Sequence, residues 1–112
     1  MPEIVHIPID LACFLRAAEL AHAIDPRFSL ADVADIEAAW QIDDLDHTSF
    51  GWVMALTGGR RFYLAYMMED AEAGRPEDVN IESMAEAQPL PAVERGVDWY
   101  KPEHIARHLG LR

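Results

Sequence analysis

Apolar positions along this chain of 112 residues are densest between Ser49 and Glu69, SFGWVMALTGGRRFYLAYMME. Two runs rich in Val, Phe, Tyr and Trp flank Thr57-Gly58-Gly59-Arg60. That pattern predicts two antiparallel strands joined by a tight turn. Both central residues of a type I′ turn need positive φ, which glycine adopts without steric cost. A two-residue loop at Gly58 and Gly59 sets Leu56 opposite Arg61, Ala55 opposite Phe62, Met54 opposite Tyr63, Val53 opposite Leu64 and Trp52 opposite Ala65. In that register Trp52, Met54, Leu56, Tyr63, Ala65 and Met67 share one face of the strand pair. Val53, Ala55, Phe62, Leu64, Tyr66 and Met68 share the other, because side chains alternate along a strand. Both faces are then apolar and both need cover, from helices, from other parts of the chain or from a second subunit. Such stripes are ordinary core in the plainest reading, and an interface or ligand-lining surface in the functional one.

The elements on either side follow from the same kind of pattern. EIVHIPI over Glu3–Ile9 reads as a short strand or extended arm, with Pro8 confining it to an edge, and so as a fourth strand for the sheet. Asp10 is placed to cap a helix over Leu11–Ala23 whose apolar side chains cover most of its girth, and Asp25-Pro26 ends it. Ser29 and Asp32 open a second predicted helix on which Val33, Ile36 and Trp40 line up at helical spacing. A strand over Ile36–Trp40 is the alternative, and the alanines weigh against it. Gln41–Thr48, QIDDLDHT, is a polar connection. Asp78–Met84 alternates as a half-buried edge strand. Ala85–Asp98, with Pro89, Pro91 and Gly96, is an irregular crossing segment whose Leu90, Val93 and Val97 give it the means to lie over the sheet. Pro102 and Gly110 bracket a C-terminal helix led in by Trp99 and Tyr100. The expected architecture is an α+β single domain over residues 1–112. It has a small antiparallel sheet of three to four strands centred on a Gly-Gly hairpin, with two N-terminal helices and a C-terminal helix packed on it.

Composition changes this picture in three respects. Hydrophobic residues make up 51% of the chain, enough for a packed core. The net charge of -11 is dispersed along the sequence. It argues against nucleic acid or an anionic membrane as partner, since phosphate contacts need clustered Lys and Arg, while permitting a basic protein partner. Cys13 is the single cysteine, so no intramolecular disulfide forms, and a lone thiol in an apolar stretch fits a reducing, cytoplasmic setting. The N-terminus lacks the basic-then-apolar pattern of a secretory signal, and no apolar run reaches membrane-spanning length.

The stretches GWVMALTGGRRFYLAY and WYKPEHIARHLGLR resemble segments of small bacterial proteins grouped as conserved hypothetical, a family without an assigned activity. The resemblance implies a bacterial, cytoplasmic, single-domain protein and carries over no functional residue.

Candidate chemistry is sparse. His104 and His108 stand four apart on the last predicted helix, but a zinc site takes three or four protein ligands and no third is near in sequence. Asp43, Asp44, Asp46 and His47 form an acidic cluster without the glycine turn and distant glutamate of a calcium loop. Cys13 with His6 or His22 would pair a nucleophile with a base, yet its apolar surroundings quiet a thiol. Arg60 and Arg61 are the one adjacent basic pair. No catalytic residue, metal or cofactor is assigned. The leading expectation is a non-enzymatic protein-interaction module that forms a homodimer. The second is a ligand-binding protein or enzyme with an aromatic pocket between sheet and helices, lined by Trp40, Trp52, Tyr63 and Tyr66. The third is an acidic partner that masks a basic, nucleic-acid-binding protein.

Overall fold

A computed structural model describes residues 6–43, 47–69, 78–93 and 97–111. In chain order the elements are α1 (His6–Ile24), a single 3-10 turn (Leu30–Asp32), β1 (Val33–Asp43), β2 (His47–Leu56), β3 (Arg61–Glu69), β4 (Val79–Met84) and α2 (Glu103–His108). The four strands form one antiparallel sheet in the order β1-β2-β3-β4. Both helices lie on the same face of it, and the fold is α+β.

The connection between β2 and β3 differs from the expected two-residue turn. The Leu56 N–H donates to the Arg60 carbonyl at 2.7 Å, leaving Thr57, Gly58 and Gly59 in the loop. Gly58 and Gly59 have φ of 84° and 82°. The register therefore runs Ala55 opposite Arg61, Met54 opposite Phe62, Val53 opposite Tyr63 and Trp52 opposite Leu64. This one-residue slip turns every β3 side chain to the face opposite the expected one. The physical gain is clear. Phe50, Trp52, Met54 and Leu56 of β2 now share a face with Phe62, Leu64 and Tyr66 of β3, and all seven are buried. The expected register would have set the Arg61 charge on the same face as Trp52, Met54 and Leu56.

The second predicted helix is absent, and its residues form β1. Two bulges explain why its pattern resembles a helix. Ala34 and Glu37 are extra residues on β1, so Val33, Ile36 and Ala39 oppose Leu56, Met54 and Trp52. Inward residues thus recur every third position where a regular strand repeats every second. Val33, Ile36 and Ala39 are all buried in the core. Gln41–Asp43 continues β1 and His47–Thr48 begins β2, so the polar connection is shorter than Gln41–Thr48. The fourth strand is β1 and does not come from the N-terminus.

α1 begins earlier than Leu11, taking up His6–Ile9 in its backbone; Glu3–Val5 lie outside the described residues. Pro8 is tolerated because the first-turn amides have no helical partner to lose. The helix buries Cys13, Phe14, Ala17, Ala18, Leu20 and Ala21, and leaves Arg16, Glu19 and His22 exposed. At its end the His22 Nδ1–H donates to the Phe28 carbonyl at 2.7 Å, tying down the turn that brings buried Phe28 against Phe62. Phe14 meets Trp52 edge-on at 5.2 Å, and Trp52 stacks on Phe50 at 5.4 Å. α2 closes with the glycine cap its sequence forecasts. The Leu111 N–H bonds the Ala106 carbonyl and the Gly110 N–H bonds that of Arg107, with Gly110 at φ 78°. Ile105 is buried in the core, and Leu109 and Leu111 pack against it. Among the described residues no polar or charged residue is buried, and no helix is long and apolar enough to cross a membrane.

Because Gly58 and Gly59 both hold left-handed backbone, replacing both by Ala is expected to cost about 2–4 kcal/mol, at ~1–2 per residue. Urea unfolding of the double variant checks this; an unchanged midpoint would refute the loop conformation.

Candidate functional site

The face of the sheet turned away from the helices carries a different set of residues. Side-chain rows cross it from strand to strand: Ile42, Ser49 and Met67; then Trp40, Gly51, Ala65 and Asn80; then Ala38, Val53, Tyr63 and Glu82; last Asp35, Ala55, Arg61 and Met84. Alternation along the strands places all of them on this side.

Two contacts reach from β1 to β3 across small residues of β2. Trp40 leans so far over Gly51 that a Cβ there would stand 2.2 Å from the indole Nε1. That Nε1–H donates to the Tyr63 hydroxyl at 3.1 Å. Over Ala55, Arg61 Nε and Nη2 donate to the two carboxylate oxygens of Glu37, both at 2.8 Å. Glu37 is the extra residue of the second β1 bulge, which aims its carboxylate at the guanidinium. The remaining edge of the guanidinium is also used: Nη1 donates to the carbonyls of Ala85, Glu86 and Gln88 at 3.0, 3.2 and 2.7 Å. Only a planar fork of donors serves a carboxylate and a run of carbonyls together.

Arg61 thereby fixes the start of a segment that leaves β4 and crosses this face toward β1. Farther along, the Trp99 ring meets Tyr63 edge-on at 6.0 Å, and the Trp99 Nε1–H donates to the Pro91 carbonyl at 3.1 Å. The Tyr100 N–H and carbonyl then pair with Ala39 at 2.7 and 2.8 Å, adding a bridge to the outer edge of β1. The chain next turns onto the opposite face as α2. On the crossed face Ala38, Val53 and Met84 are buried. At the far end of that face Met67 stays 43% exposed, beside partly exposed Ile42 and Ser49.

The electrostatics follow this packing. The Glu37 hydrogen bonds hold the Arg61 guanidinium above its ordinary value, against the opposing effect of burial. Burial pushes the Tyr63 hydroxyl up, with the Trp40 hydrogen bond pulling the other way. Burial likewise raises Tyr66.

Of the four aromatic residues expected to line a pocket, Trp40 and Tyr63 meet on this face. Trp52 and Tyr66 lie on the helix-covered face, on either side of Phe50, whose ring is 6.5 Å from that of Tyr66. Tyr63 and Tyr66, three apart on β3, lie on opposite faces in either register, and the slip sets Tyr66 in place of Tyr63 on the Trp52 face, so the four do not line one space. Cys13 is buried on α1, while His22 is engaged with Phe28; the His6 side chain lies outside the description. His104 is partly buried and His108 exposed. Asp43 is exposed and accepts from Gln41 Nε2 at 3.1 Å. Asp44 and Asp46 lie outside the described residues, as does the His47 side chain. No three His, Cys, Asp or Glu among the described residues are grouped to hold a metal. Arg60 is exposed at the loop, where it pairs with Asp32 at 3.5 Å and donates to the Arg27 carbonyl at 2.7 Å.

No family model, curated protein or solved structure matches this chain. Glu37, Trp99 and Met67 are among the members of this face that were not expected as site residues. One signal was available. Gly51 is a lone glycine inside a strand of bulky residues, which marks a close approach by another group.

Gly51→Ala is expected to force the Trp40 indole out of place, costing about 1–3 kcal/mol by overpacking and shifting tryptophan emission to the red. Arg61→Met is expected to cost about 1–3 kcal/mol by stranding its partners. Amide exchange over residues 85–93 should accelerate in that variant; unchanged exchange would show that another contact holds the segment.

Proposed function

We propose that this chain is a non-enzymatic protein-contact module that self-associates as a homodimer through the second face of its sheet. The observation that supports this is the uneven cover of that face. One end is closed by the chain running from β4 to Tyr100, and the other leaves Met67 43% exposed on regular strand beside Ile42 and the Trp40–Tyr63 pair. An exposed methionine on regular strand, flanked by a partly exposed isoleucine and by aromatic side chains, is the kind of apolar spot on which protein interfaces centre. Two-fold pairing buries such a spot against its own copy, the commonest closed arrangement of identical chains. The charge of -11 works against this pairing, since like-charged copies repel, so the apolar contact has to outweigh that repulsion.

Sedimentation equilibrium at tens of micromolar tests this. The wild-type chain is expected at twice 12.6 kDa. Met67→Glu is expected to raise the dimer dissociation constant at least about tenfold, equivalent to ~1.4 kcal/mol, with unfolding unchanged because the side chain is exposed. A wild-type monomer, or a dimer indifferent to Met67→Glu, would sink the proposal.

A further inference from the structure

The shelf around Met67 is small beside the roughly 800 Å² per partner of a standard stable interface. The C-terminal arm, from Pro91 to Leu111, supplies what it lacks. As described over residues 91–93 and 97–111, this arm gives its apolar surface to the body of the chain. Trp99 packs on Tyr63. Tyr100 pairs with Ala39 on the outer edge of β1. Pro102, Ile105 and Ala106 are buried. α2 has 6 residues, far too few for a helix to persist alone in water.

The joint between arm and body is equally well defined. Arg61 clamps the body side through the carbonyls of Ala85, Glu86 and Gln88. The Trp99 bond to the Pro91 carbonyl holds the arm side together from within. Between them lie exposed Pro89 and Leu90, where Pro89 and Pro91 favour extended backbone. A clamped root, an extended joint and an arm stabilised by the body suit exchange between identical copies, because every contact made within one chain can be remade across two.

We propose that the arm beyond Leu90 is exchanged between two copies, so that Trp99, Tyr100 and α2 of each chain sit on Tyr63, Ala39 and α1 of the other. The inference rests on the self-association reading and names the segment that carries it. The occupant of each second face is then the arm of the other copy, and the open shelves add to an interface already formed.

The test uses two full-length single variants, Ala39→Cys and Tyr100→Cys, both carrying Cys13→Ala. A directly paired position of this kind has the Cα separation a disulfide needs. The two are unfolded together in urea, refolded at tens of micromolar and oxidised. The expected product is a covalent dimer joining the two variants, at twice 12.6 kDa on a non-reducing gel. A second chain carries both substitutions. If it closes on itself as a monomer, and the mixed variants do not cross-link while the wild type sediments as a dimer, exchange is overturned and self-association stands. A wild-type monomer overturns both. Should the cysteine variants fail to fold, a six-residue Gly-Ser insertion after Gln88 replaces them, since a longer joint favours closure within one chain. Exchange then requires at least a tenfold rise in the dimer dissociation constant, and an unchanged constant refutes it.

Discussion

The parity of the β2–β3 connection governs this structure. A loop of Thr57, Gly58 and Gly59 pairs Ala55 with Arg61, and that pairing decides which side of the sheet each β3 residue meets. With this parity the large side chains of both strands gather under α1 and α2, where Phe14, Trp52, Phe50 and Tyr66 form a continuous run of ring contacts. With the opposite parity Arg61 would share a face with Trp52 and Met54. Burying an unpaired guanidinium there costs more than any turn preference supplies. Hydrophobic sorting therefore overrides turn statistics.

Once Arg61 is on the second face, the remainder of that face follows. Glu37 reaches it because a bulge turns the β1 backbone, and because Ala55 between them is short. Gly51 allows the matching reach from Trp40 to Tyr63 one layer away. Thus the small residues of the central strand are the gaps through which β1 and β3 touch. The three carbonyls taken by Arg61 convert the end of β4 into the root of a crossing segment, and Tyr100 carries that segment around the edge of β1. One chain thereby covers one face of a four-stranded sheet with two helices and part of the other with a strap.

The uneven cover also bears on association. α1 and α2 bury the aromatic residues of one face, whereas the strap closes the other face at one end. A small sheet of this kind has edges and an open shelf to protect, and the exposed Glu82 carboxylate and Asn80 amide on β4 help to protect its outer strand. The apolar side chains that remain exposed are few and scattered, with Met67 on the sheet itself.

Much was legible in the residues alone. The helix ending at Asp25-Pro26, the strand over Val79–Met84, the irregular crossing with its prolines and the Gly110 cap each follow from local rules, since a cap, a proline or an alternation acts on its immediate neighbours. The strand β1 was not legible, because bulges at Ala34 and Glu37 gave Val33, Ile36 and Ala39 the spacing of a helix. The pairing of Trp40 with Tyr63, 23 residues apart, was not legible either. Nor was the grip of Arg61 on Glu37 and on the carbonyls of residues 85, 86 and 88. Those contacts depend on a register that differs from its alternative by one residue. The local turn chemistry of Thr57-Gly58-Gly59-Arg60 accommodates either. Only the packing of both helices against one face, a property of the whole chain, selects between them.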